Sequence, residues 1–111
     1  MLFFTQKRYQ EALREGRKTI EIRAGSRYAK LEVGRLISIN GLFKMRVIRI
    51  DRHESAAEFL SENADNYGVC GFNSFDEMQS AVAGLYGDSV KPVFAFHVRL
   101  LAKNPQSLLP L

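Results

Sequence analysis

The sequence holds a single cysteine, Cys70, which excludes an intramolecular disulfide and sets the expectation of a reducing, cytoplasmic setting. No apolar run approaches the ~18 residues that a membrane-crossing helix needs, so no membrane partner is expected. The first residues, Met1-Leu2-Phe3-Phe4-Thr5, offer neither a basic n-region nor a long apolar h-region, and no signal peptide is expected. No His/Cys/Asp cluster shows metal-ligand spacing and no glycine loop matches a phosphate cradle, so the sequence points to no metal and no cofactor. Internal repeats and low-complexity tracts are lacking as well.

What is present fits one domain. The 111 residues are 46% hydrophobic and 25% charged, ordinary globular values that argue against disorder. The net charge of +4 is unevenly spread. Residues 1–52 carry thirteen Lys/Arg against five Asp/Glu, a net +8, and residues 53–111 carry three against seven, a net −4. Such asymmetry points either to a polyanionic partner or to a solvated basic face.

Hydrophobic periodicity and turn residues give the elements. A helix is expected over 6–15, capped by Thr5, stopped at Gly16 and burying a stripe of Tyr9, Ala12 and Leu13. A strand follows over 18–24, with Ile20 and Ile22 on one face and Thr19, Glu21 and Arg23 on a polar one. A second strand over 36–39 reaches Asn40-Gly41, a hairpin signal, and returns over 43–50. The apolar parity of that return strand switches from Phe43, Met45 and Val47 to Ile48 and Ile50, as at a bulge or in a strand covered on both faces. Ser55-Ala56-Ala57-Glu58 and Ser74-Phe75-Asp76-Glu77 are capping boxes that open two helices, the second running to Tyr86 and stopped by Gly87. A polar loop over 61–73 separates them. A last strand over 92–101 turns Phe94, Phe96, Val98 and Leu100 to the core, and the tail, with its apolar end Leu108-Leu109-Pro110-Leu111, has no periodicity. The order is that of an α+β domain built around a small curled sheet.

Two strings carry a resemblance. Gly16-Arg17-Lys18-Thr19-Ile20-Glu21-Ile22-Arg23, followed by Leu31-Glu32-Val33-Gly34-Arg35-Leu36-Ile37, resembles the opening of an ASCH domain, although Arg35 stands where that family usually has Asp. Gly71-Phe72-Asn73-Ser74-Phe75 before a helix ending in Leu85-Tyr86-Gly87 is similar to the later part. The resemblance covers about residues 3–101, with 102–111 as a tail. It implies a small PUA-like β-barrel with flanking helices, and a cleft lined by the Lys18–Arg23 strand and the helix before it. It also implies one of two functions: an amidohydrolase that removes the acyl group from N4-acetylcytidine, or a non-catalytic RNA-binding module, with ribonucleases among the relatives. The partner is then a modified cytidine nucleoside or RNA. In the amidohydrolases a lysine and a threonine of this strand act with an acid from a later loop. The lysine corresponds to Lys18, the threonine position to Glu21, and the acid falls near Cys70 or Gly71.

The residues themselves give Glu21 the chemistry of a general base on water and Lys18 that of an oxyanion stabiliser. Three residues apart on an ideal strand they face opposite ways, so they converge only if Lys18 precedes the strand or a bulge intervenes. The bland alternative is a surface ion pair. Arg23 is a candidate phosphate clamp or an ion-pair partner of Glu21, and Arg17 a phosphate contact or a solvated helix-end cation. Phe4, Tyr67 and Phe72 are candidates for stacking on a base or for the core. Cys70 is a nucleophile or substrate contact only if a base or cation activates it, and is otherwise a buried thiol. His97 reads as a structural histidine.

Overall fold

The computed structural model describes residues 1–86 and 91–101, with backbone only at 85 and 86. Five strands form one sheet: β1 (Leu2–Phe3), β2 (Ile20–Ala24), β3 (Leu36–Ile39), β4 (Phe43–His53) and β5 (Val93–Leu100). Helix α1 (Lys7–Glu15) links β1 to β2, and α2 (Ala56–Glu62) and α3 (Phe75–Tyr86) link β4 to β5. Spatial order is β1-β3-β4-β5-β2, with β1 parallel to β3 and every other pair antiparallel. This is an α+β domain on a mixed sheet that stays open among the described residues. The helix stop at Gly87 and the tail from 102 lie outside them.

The hairpin β3–β4 turns at Asn40 (φ 52°) and Gly41 (φ 72°), two successive left-handed residues that match strand twist. The Asn40 amide also accepts from the Thr5 N–H (2.8 Å) and donates to the Thr5 carbonyl (3.0 Å). Thr5 is therefore tied to the hairpin and does not cap α1, whose N-cap is Gln6 without a side-chain bond. The C-terminal expectation holds, with Gly16 left-handed at φ 79°. In β4 the register against β5 shifts between Val47 and Arg49, leaving Ile48 exposed: the parity switch is a bulge. Ser55 Oγ and Ser74 Oγ accept from the N–H groups of Glu58 and Glu77 (3.1 Å each), as capping boxes require.

Strand β5 is buried on both faces. Phe94, Phe96 and Val98 pack into one cluster with Phe3, Tyr28 and Ile37, whereas Val93 and Ala95 enter a second with Ile22, Phe59 and Met78. Leu100, expected in the core, is 40% exposed at the strand end. Cross-strand pairing places Glu21 opposite Phe96 and Arg23 opposite Phe94. Directly paired residues share a sheet face. The polar side of β2 therefore looks toward the aromatic interior rather than into water, and Glu21 is 6% exposed.

Candidate functional site

Lys18 sits two residues before β2 begins, free of strand alternation. Its backbone N–H donates to Ala12 O at the end of α1 (3.0 Å), which fixes where the side chain starts. The side chain is 3% exposed. Its ammonium donates to Ile20 O (2.7 Å) and Cys70 O (2.5 Å), and lies 5.3 Å from the centre of the Tyr9 ring. Ile20 N–H bonds to Val69 O, so the 69–70 loop and the lysine together satisfy the Ile20 backbone at the free edge of β2. From there Lys18 Nζ reaches to 3.7 Å of Glu21 Oε1. That is ion-pair separation, longer than a hydrogen bond.

Glu21 Oε2 lies 3.7 Å from Arg23 Nη2, the guanidinium of which stacks 4.4 Å over Phe3 and donates to Phe4 O (2.9 Å). This last bond ties the two outer strands of the sheet, β2 and the end of β1, across the mouth of the curl. Two polar atoms remain buried without a hydrogen-bond partner here: Glu21 Oε2 and Arg23 Nε. Buried polar atoms are nearly always paired, and these two are the exceptions on this wall.

These groups line a cleft of about 680 Å³ between α1, β2 and α3, whose wall also includes Thr5, Gln6, Tyr9, Tyr28, Phe72 and Ser80. Burial pushes the Lys18 ammonium below the ordinary lysine value, against the pull of Glu21. Burial raises the Tyr28 phenol, but hydrogen bonding from Arg27 (2.5 Å) and the nearby Arg23 outweigh it, and the net shift is downward.

Among the residues singled out from sequence, Lys18, Glu21, Arg23, Phe4 and Phe72 line the cleft. Phe4 stands at the rim, 71% exposed, and Phe72 packs edge-on to Tyr9 at 5.7 Å. Three do not line it. Arg17 is exposed and paired with Glu15 (2.7 Å), and Tyr67 is exposed on its loop. Cys70 is fully buried in the second cluster; burial pushes its thiol up to about 11, and only its carbonyl meets Lys18. His97 pairs with Asp51 (2.9 Å), as a structural histidine does. Sequence reading missed Tyr9, which presents itself only as an apolar helix position, and Tyr28, which lies in a short turn without a signal of its own.

Gly71 holds the lysine in place from behind. At φ +96° a Cβ there would stand 2.9 Å from Lys18 Cδ and 3.2 Å from Tyr9 Cδ1. Gly71→Ala is expected to cost about 1–3 kcal/mol of stability from backbone strain and to displace the ammonium. Gly68→Ala, with open space and no positive φ, serves as the control. Urea unfolding of both variants checks the difference.

No family model matches the sequence, and no curated protein matches it. Solved structures share the fold, among them these two. The crystal structure of hypothetical protein PH0355 superposes with a TM-score of 0.75 at 22% identity, over 90% of this chain and 97% of that one. The solution structure of protein PF0455 from Pyrococcus furiosus gives 0.65 at 21% identity, over 91% and 98%. Matching lengths and topology define a class of small α+β domain to which this chain is similar; at these identities the likeness is one of fold alone.

Proposed function

We propose that this chain is an ASCH-type, PUA-like amidohydrolase that removes the acyl group from N4-acetylcytidine or a related N4-acylated cytidine. The observation that carries the reading is the buried pair of Lys18 ammonium and Glu21 carboxylate, 3.7 Å apart on the wall of the cleft, with Glu21 Oε2 unpartnered. Glu21 takes a proton from water as its oxygen bonds to the acyl carbonyl carbon. Lys18 stabilises the oxyanion of the tetrahedral intermediate. Collapse breaks the carbon–N4 bond, and the proton held by Glu21 passes to N4, releasing cytidine and the carboxylic acid. Arg23, Phe4 at the rim and the aromatic walls Tyr28 and Phe72 hold the base. In this scheme the loop acid of the resembling enzymes has its equivalent at position 21. The test is ultraviolet-monitored conversion of N4-acetylcytidine to cytidine; no turnover of a panel of N4-acylcytidines sinks the reading.

The ammonium is the active form of Lys18, present below its pKa and lost as pH rises. Because burial lowers that pKa, the alkaline limb of kcat/KM is expected to fall at a pH below the ordinary lysine range. A pH–rate profile of the native chain checks it, and loss only above that range would contradict the role.

A second reading, a non-catalytic RNA-binding module, is favoured by the basic half and by one surface feature. Arg46 and Arg99 are exposed and directly opposite each other on β4 and β5. Facing like charges cost stability that a polyanion would relieve. That reading requires RNA retardation that weakens steeply with salt.

A further inference from the structure

His53 ends β4 and lies 3% exposed, its ring edge-on to Phe59 at 5.4 Å. Both of its ring nitrogens are buried without a hydrogen-bond partner. Glu62 Oε2 stands 3.0 Å from Nδ1, close enough to pair yet out of line for a hydrogen bond. Leaving a buried imidazole nitrogen unmatched is costly. Glu58 and Glu62 are four apart on α2, so their side chains leave one face of the helix as neighbours, a placement that like charges disfavour. Among the described residues no Lys or Arg lies within ion-pair distance of either; Arg52, one residue before the histidine, pairs with Glu54 (3.5 Å).

One arrangement gives a ring nitrogen of His53 a partner and the two carboxylates a counter-charge. A ligand atom from each of His53, Glu58 and Glu62 falls within 4.8 Å of the other two. We propose that these three side chains bind a divalent first-row transition-metal ion, such as Zn²⁺ or Mn²⁺, that clips α2 to the end of β4. One neutral imidazole and two carboxylates match the charge of such an ion, and the imidazole selects against Mg²⁺ and Ca²⁺, which take oxygen ligands. Tetrahedral ligands at ~2.1 Å from zinc stand about 3.4 Å apart. Rotation of the Glu62 side chain, which is 58% exposed, closes that gap. The Glu54 N–H donates to Glu58 Oε2 (3.2 Å), orienting that carboxylate from behind. Water completes the coordination on the solvent side. The site shares no residue with the cleft, so it stands or falls independently of the deacylase reading.

The test is calorimetric titration of the chelator-treated full chain with ZnCl₂ and MnCl₂, with MgCl₂ for comparison. Uptake of one equivalent of Zn²⁺, absent for Mg²⁺, is expected, together with a zinc-dependent rise in Tm. Glu58→Gln and Glu62→Gln should each weaken Zn²⁺ binding at least about tenfold. The helical circular dichroism of Glu62→Gln should match the native chain, which separates a lost ligand from a lost fold. Mn²⁺ should broaden the amide resonances of His53 and α2 first. Absence of saturable Zn²⁺ uptake would overturn the proposal. So would uptake that both glutamine variants leave unchanged, or broadening centred on Asp51 and His97.

Discussion

Glu21→Gln is expected to lower kcat/KM for N4-acetylcytidine by about 10²–10⁴-fold, the usual contribution of a positioned general base. The amide keeps the carboxylate's shape but accepts no proton from water. The substitution also removes the counter-charge of Lys18, which is 3% exposed and held by two backbone carbonyls. Stripping one partner from a buried pair typically costs about 3–5 kcal/mol, and the strained lysine then gives up its proton more readily. The rate must therefore be compared at a pH low enough to keep Lys18 charged, on protein whose circular dichroism is native. The same variant separates the two functions by sign. A deacylase loses turnover. An RNA-binding module gains net positive charge beside its cleft and binds RNA as tightly or more tightly, with an unchanged or steeper salt dependence.

Much of the fold is legible in local chemistry. Asn40-Gly41 names its own turn, the two Ser-x-x-Glu boxes name the starts of α2 and α3, and the switch of parity at Val47–Ile48 is the bulge. Elements without a local signal are not legible. Strand β1 is two residues long and exists because Leu2 and Phe3 pair with Ser38 and Ile39, far along the chain. Thr5 satisfies the pattern of an N-cap, but the helix begins one residue later, with Gln6 at the cap, and the Thr5 backbone is held by Asn40, a tertiary contact the local pattern does not show. The candidate site shows the same division. The Lys18–Arg23 string is visible as chemistry, yet strand alternation assigns Glu21 to a polar face. Only the curl of the sheet, which sets that face against Phe94 and Phe96, makes it a buried one. His53, Glu58 and Glu62 escaped notice because they lie across a strand end and a helix, where neither period applies.

Lys18→Met is expected to reduce kcat/KM by about 10²–10³-fold, the loss that follows removal of one oxyanion-stabilising donor. Methionine fills the slot between Tyr9 and Gly71 with a stem of similar length, so the cleft keeps its shape while losing its cation. The structural cost is smaller than for Glu21→Gln. Glu21 is not stranded, since Arg23 Nη2 remains 3.7 Å from Oε2. Removing the ammonium also lifts the penalty of burying it, the same penalty that lowers its pKa. What is lost is hydrogen bonding to Ile20 O and Cys70 O, and each carbonyl left unsatisfied costs about 1–3 kcal/mol. With the lifted penalty set against that loss, the variant should be folded and modestly destabilised, and urea unfolding would show it above Glu21→Gln in stability. Its alkaline activity limb should vanish along with the group that produced it. If Lys18→Met instead retains native kcat/KM in a native fold, the lysine is only the pin that holds Ile20 at the free edge of β2, and the oxyanion role passes to Arg23, the remaining cation within reach of Glu21 among the described residues.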